Sequence, residues 1–270
     1  MAMKRRLRLI LFVSLPILVL GILFFYHPQI LFGDSSIITF PDNEQFIAGA
    51  GPIRRYSGFR ELWIRRRSTW TRPSPRDRNS VVFLGDSITE GWGDNFGGHF
   101  PGINVVNRGI EGDTTRGMLF RLMEDVISLQ PSGVVLLMGT NDIEEGASPE
   151  TIAGNVNLIT DLLKEHNPQM PIILCLILPS SGSMKRPAST ISKTNKYFIE
   201  LAKSKPQITI LDTWSMFATE QGDARLAEIP DLVHPNQLGY AKWATALRPM
   251  LAEIISRNCV IERRFASTLD

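Results

Sequence analysis

Ser87, Asn141, Asp231 and His234 are the residues of this 270-residue chain whose types and surroundings can do chemistry together. Ser87 ends Val81-Val82-Phe83-Leu84-Gly85-Asp86-Ser87, where an apolar run breaks into a turn. Asp231-Leu232-Val233-His234 supplies a carboxylate and an imidazole three residues apart. Gly139-Thr140-Asn141-Asp142 places an amide behind another apolar run. A serine hydroxyl becomes a nucleophile only beside a base, and that base needs an orienting acid. The developing oxyanion needs donors fixed in advance. The pattern therefore predicts Ser87 as nucleophile, His234 as base and Asp231 as acid. The Ser87 N–H, the Gly109 N–H and the Asn141 amide are the expected oxyanion donors. This is the chemistry of a serine hydrolase.

Each motif also has a plainer reading. Gly85-Asp86-Ser87 alone is an ordinary turn, but this serine follows a buried strand and precedes the helix-compatible Ile88-Thr89-Glu90. Its N–H then sits at a helix N-terminus, a ready anion site. Pro235 disfavours helix at the residue before it, so His234 is expected in a loop ahead of the last helix. His27, His99 and His166 read as structural or solvated. Asn141 and Gly109 also suit turns, and Asp86 and Asp142 read as loop-orienting acids. Cys175 lies inside an apolar run and reads as a small buried side chain, with no disulfide to Cys259 expected.

Elements must bring these groups together. Apolar runs at 81–84, 103–106, 134–138, 171–178 and 208–211 predict five strands. Helical spacing marks 115–129, 148–166 and 238–255. Strands that are apolar throughout are covered on both faces, and strand–helix alternation implies parallel pairing in a three-layer α/β/α sandwich. In such sheets the ligand site lies beyond the carboxyl ends of the strands. Gly85-Asp86-Ser87, Asn107-Arg108-Gly109 and Gly139-Thr140-Asn141 are each expected there.

Charge is segregated along the chain. Residues 54–78 hold nine arginines against Glu61 and Asp77, whereas from residue 81 onward there are 16 Lys+Arg and 22 Asp+Glu, a net of −6. An acidic catalytic region argues against nucleic acid as its partner. The stretch 58–70 suggests a short amphipathic helix, read as packed on the domain edge; the alternative is arginines docking on anionic headgroups or acidic glycans. At the N-terminus, Lys4, Arg5, Arg6 and Arg8 precede 18 uncharged residues, 9–26. As a helix these span about 27 Å, close to a bilayer core. Positive charge stays inside, so the expectation is an uncleaved signal anchor, a membrane contact through 9–26, and a catalytic domain outside the cytoplasmic membrane. The competing reading is a cleaved signal peptide, for which Phe24-Phe25-Tyr26-His27-Pro28 is a poor site. The expected divisions are 1–26 stub and anchor, 27–79 linker and arginine-rich segment, 80–258 hydrolase domain and 259–270 tail.

Gly85-Asp86-Ser87, Gly109, Gly139-Thr140-Asn141-Asp142 and Asp231-x-x-His234, in this order, resemble the SGNH hydrolases, also called GDSL esterases and lipases. The resemblance covers roughly residues 80–255. Residues 107–115, Asn-Arg-Gly-Ile-Glu-Gly-Asp-Thr-Thr, are similar to the branch with platelet-activating-factor acetylhydrolase catalytic subunits and related acetylesterases. The resemblance implies a flavodoxin-like sandwich with a five-stranded parallel sheet, no metal or organic cofactor, and ester hydrolysis through an acyl-enzyme. The substrate expected is a short acyl ester, acetyl on carbohydrate above all. A lysophospholipid-type ester, acyl transfer to a glycan, or a non-catalytic binding domain are the alternatives.

Overall fold

The computed structural model describes residues 38–70 and 75–266. The expected anchor at 9–26 and its basic flank lie outside these residues. Among the described residues no helix is long and apolar enough to cross a membrane.

Among the described residues the first α-helix, α1 (Phe59–Ser68), precedes the sheet. Phe59, Trp63 and Arg67 recur at every fourth residue and are its buried positions. Phe40 meets Trp63 edge-on at 5.3 Å, and the Arg67 guanidinium lies 4.5 Å from the Trp63 ring centre. Burial of an aromatic side chain of this kind stabilises by about 1.5–3 kcal/mol. Two arginines of the cluster take part in this docking. Arg67, 3% exposed, pairs with Asp125 at 2.7 Å and with Glu124, and Arg66 pairs with Asp94 at 2.7 Å. The edge-packed helix is what forms, with Arg60 left exposed against Asp42.

Five parallel strands follow: β1 (Val81–Gly85), β2 (Val105–Gly109), β3 (Gly133–Leu137), β4 (Ile172–Cys175) and β5 (Ile208–Leu211), in the order β2-β1-β3-β4-β5. Alternate residues of the same apolar strands serve two cores. Val82, Leu84, Val134, Leu136 and Leu174 pack with side chains of α3 (Thr115–Asp125), α5 (Pro149–His166) and α6 (Ala188–Ser204), including Met118, Ile159 and Phe198. Val81, Phe83, Val135, Leu137 and Ile173 pack with Trp92, Phe96, Phe217 of α7 (Thr213–Phe217) and, from α8 (Gln237–Ala266), Trp243, Leu247 and Leu251. Helices cover both faces, as continuous apolar strands require. Cys175 is a free, buried thiol within the second core.

Several boundaries depart from the sequence-based expectation. β2 begins later than residue 103 and runs on through Asn107, Arg108 and Gly109, which pair with Phe83, Leu84 and Gly85. Apolarity ended the expected strand too soon, because Asn107 and Arg108 are polar yet buried and hydrogen-bonded. β4 stops at Cys175, short of residue 178, and the Asn195 side chain takes both the N–H (2.8 Å) and the C=O (3.0 Å) of Ile177. The helix expected over 115–129 ends at Asp125, followed by a 3-10 turn at Ile127–Leu129. Helix α6 has no counterpart among the helices that the spacing predicts. Its buried positions are Ile191, Thr194, Asn195 and Phe198, half of them polar.

Candidate active site

Ser87 is placed by its two predecessors. Gly85 ends β1 where an added Cβ would lie 2.8 Å from the Leu137 carbonyl, so the missing side chain lets β3 and the start of the next helix come this close. The buried Asp86 carboxylate then accepts the Ile88 N–H at 3.0 Å and starts the short helix α2 (Ser87–Glu90) at the serine. A close approach and a cap thus fix the position of a nucleophile.

His234 comes from the loop ahead of α8. Asp231 accepts the backbone N–H groups of Val233 (3.0 Å) and His234 (2.7 Å) on one carboxylate oxygen. Its other oxygen faces His234 Nδ1 at 2.7 Å. Leu232 between them has φ +67°, in the left-handed region that costs a branched side chain energy. The Ser180 hydroxyl, donating to the Leu232 carbonyl at 2.6 Å, holds this turn closed. The Asn236 side chain accepts the Gly239 N–H at 3.1 Å and starts the helix that follows. The outcome is a distance of 2.8 Å between Ser87 Oγ and His234 Nε2, across 147 residues of sequence. Burial alone would raise the Asp231 carboxyl, but the His234 and Val233 N–H groups and the imidazole outweigh it and hold the group below its ordinary value. An ionised carboxylate against Nδ1 places the ring proton there and leaves Nε2 as acceptor for the serine hydroxyl.

Asn141 enters from α4 (Thr140–Glu144), which starts after Gly139 at φ +110°. Its Nδ2 donates to the Asp113 carbonyl at 2.9 Å, leaving a second N–H on the same nitrogen. Ser87, His234 and Asn141 line one cavity of about 470 Å³. Asp231 stands behind His234, and of the expected oxyanion donors Gly109 is the one that does not line the cavity. Its N–H donates to Asn107 Oδ1 at 2.8 Å, and an added Cβ would sit 2.3 Å from the Glu90 nitrogen. Gly109 therefore lets α2 approach β2 and is already satisfied. From the loop after β2 the glycine that lines the cavity is Gly112, at φ +78°, with no acceptor for its N–H among the described residues. Sequence reasoning took the first glycine after the apolar run; extending β2 by three residues moves the loop, and the next glycine, to the cavity.

Asp142 and His99 have structural partners. Asp142 accepts the Thr115 N–H at 2.9 Å, and His99 Nδ1 accepts from Trp92 Nε1 at 3.0 Å. His166 lies in the last turn of α5, and His27 is outside the described residues. Among the described residues no group of three or more His, Cys, Asp and Glu side chains is placed to hold a metal ion. Two arginines that the sequence did not single out for the site, Arg54 and Arg186, also line the cavity.

Comparison with known proteins agrees with this architecture. The GDSL-like lipase/acylhydrolase family matches residues 83–242. Bovine platelet-activating factor acetylhydrolase IB subunit alpha2 is 25% identical over 233 residues, covering 84% of this chain and 95% of that protein. The bovine alpha1 subunit is 26% identical over 237 residues, covering 84% and 94%. The crystal structure of a GDSL-like lipase from Bacteroides thetaiotaomicron superposes with a TM-score of 0.62 at 25% identity, covering 74% of this chain and 99% of that one. The chain belongs to the GDSL-like lipase/acylhydrolase family and is an acylhydrolase.

Proposed function

We propose that the protein cleaves short acyl esters, acetyl above all, on carbohydrate, with Ser87 as nucleophile, His234 as general base and Asp231 as orienting acid. The observation that carries this reading is the continuous chain of contacts from Ser87 Oγ through His234 to Asp231, at 2.8 and 2.7 Å, opening on a cavity. In the proposed reaction Nε2 takes the serine proton as Oγ attacks the ester carbonyl, and then returns it to the leaving alcohol. The Ser87 N–H, the Gly112 N–H and the Asn141 amide are the proposed oxyanion donors, with Gly112 in the place first assigned to Gly109. Water then releases the acyl group from Ser87.

The cavity walls support a small acyl group and an uncharged leaving group. Besides the reacting residues they comprise Arg54, Tyr56, Glu90, Gly91, Glu111 and Arg186, with no aliphatic side chain for a long acyl chain. Both arginines are paired with Glu144, while Glu90 and Glu111 add negative charge, a setting that favours a neutral sugar over a phosphate. The acetylhydrolase names of the bovine relatives favour acetyl, and they also motivate a second reading, an acetyl ester on a phospholipid. Rates on esters from acetyl to octanoyl separate these. We expect acetyl esters to react fastest, and acetylated oligosaccharide to surpass an acetylated phospholipid. A site built for long chains would instead gain about 0.8 kcal/mol per methylene in kcat/KM. The anchor at 9–26 and the extracytoplasmic placement of the domain belong to the same proposal and rest on the charge pattern of the sequence.

A further inference from the structure

Arg186 is 5% exposed although it lines the cavity, and each of its three guanidinium nitrogens has an acceptor. Nε donates to the Thr140 carbonyl at 3.1 Å and Nη1 to the Met184 carbonyl at 3.0 Å. Nη2 donates to Glu144 Oε2 at 2.8 Å and to Asn141 Oδ1 at 3.4 Å. Thr140, Asn141 and Glu144 all belong to α4, so one planar fork grips the short helix that carries the amide. Glu144 is shared: Arg54 also pairs with it, and Arg54 Nε donates to Glu145 at 2.8 Å.

The fork matters because a carboxamide has two orientations that exchange its oxygen and nitrogen. At Asn141 the Asp113 carbonyl demands a donor on one side and the Arg186 guanidinium demands an acceptor on the other. A flipped amide would set N–H groups against a cation and oxygen against oxygen. Only one orientation satisfies both, and it keeps the spare N–H of Nδ2 on the side left free by these two partners. We propose that Arg186 is a positioning residue for the reaction, fixing the Asn141 carboxamide as an oxyanion donor, with Arg54 bracing it through Glu144. The segment ahead of the sheet is thereby part of the catalytic unit: Arg54 lies outside residues 83–242, the part matched by the family. This inference rests on the reading of Asn141 given under the proposed function.

A double-mutant cycle on the whole protein, with p-nitrophenyl acetate as substrate, tests it. Arg186→Met, which keeps an unbranched stem and removes the fork, is expected to lower kcat about 10-fold or more with KM within about twofold. In an Asn141→Ala background the same substitution should change kcat by less than about twofold, because the amide it positions is gone. Arg54→Gln should give a smaller loss with the same dependence on Asn141. It serves as the test if thermal melting shows that Arg186→Met does not fold. Equal fractional losses in both backgrounds, or a rise in KM at unchanged kcat, would overturn the proposal and make Arg186 a general prop or a substrate contact. Asn141→Ala alone separates the two levels of the argument. If it leaves kcat unchanged, the oxyanion reading itself fails; if it lowers kcat while Arg186→Met multiplies the loss, only the positioning role fails.

Discussion

The Tyr240 hydroxyl donates to the Ile88 carbonyl at 2.8 Å, tying the helix that follows His234 to the helix that begins at Ser87. Tyr240 also stacks on Trp92, with ring centres 5.0 Å apart. The two ends of the proposed proton-transfer pair are thus linked a second time, behind the site. Tyr240→Phe removes the hydroxyl and leaves a buried carbonyl short of a partner, a cost of about 1–3 kcal/mol. It should lower the melting temperature and reduce kcat several-fold with little change in KM. Melting curves and steady-state kinetics on one preparation check both.

Ser87→Ala should abolish turnover of an activated acetyl ester, by about 10⁴-fold or more, while the melting temperature stays close to wild type. Asp231→Asn should retain the loop contacts yet lose most activity, since the ring proton is then no longer held on Nδ1. Retention of more than about a tenth of the wild-type rate by Ser87→Ala would remove it from the nucleophile's role.

Two glycines make opposite predictions. Gly112→Ala adds a side chain at φ +78°, where its Cβ would lie 3.1 Å from the Tyr56 hydroxyl, so kcat should fall sharply. Losing one oxyanion donor costs about 10²–10³ in turnover. Gly109→Ala instead drives a Cβ against the α2 backbone, and its first effect should be on folding yield and melting temperature. If Gly109→Ala folds normally with kcat alone reduced, the donor assignment reverts to Gly109.

Burial pushes the Asp86 carboxyl up to about 7, against the hydrogen bond from the Ile88 N–H, and its second oxygen is buried with no partner among the described residues. A group whose folded value is raised above its unfolded value, here 3.8, contributes stability that is present below the unfolded value and is lost as pH rises through about 7. Asp86→Asn keeps an oxygen to cap α2 and removes this titration. Relative to wild type the variant should therefore gain stability between about pH 5 and pH 8. Asp142 is pushed up to about 6 by burial in both proteins and cancels in the comparison. Urea unfolding at the two pH values reads the difference; an unchanged gap would show that Asp86 is ionised throughout.

For the proposed anchor, protease added to spheroplasts expressing the full chain should digest the catalytic domain, and the mature N-terminus should lie at residue 1 or 2. A mature N-terminus near Ala50, or full protection from protease, would refute the anchored arrangement.

The parallel sandwich was legible because apolar runs this short, without alternation and alternating with helical spacing, fit strands covered on both faces, and Ser87, Asn141, Asp231 and His234 stand at breaks in that pattern. Where polar groups enter the interior, the pattern no longer reports the element. Asn107 and Arg108 extend β2 beyond its apolar run, and Thr194 and Asn195 hide α6, because burial there rests on side-chain hydrogen bonds to backbone, local for Thr194 and distant for Asn107 and Asn195. That hidden extension of β2 is why Gly112, and not Gly109, reaches the cavity. Local sequence determined which residues carry reactive groups and which strands bear them. Tertiary structure alone decided that an arginine from the segment ahead of the sheet and another from the loop after β4 meet on Glu144 beside Asn141. Those contacts span 42 to 90 residues of chain, and their partners are chosen by where the packed layers bring opposite charges together out of water.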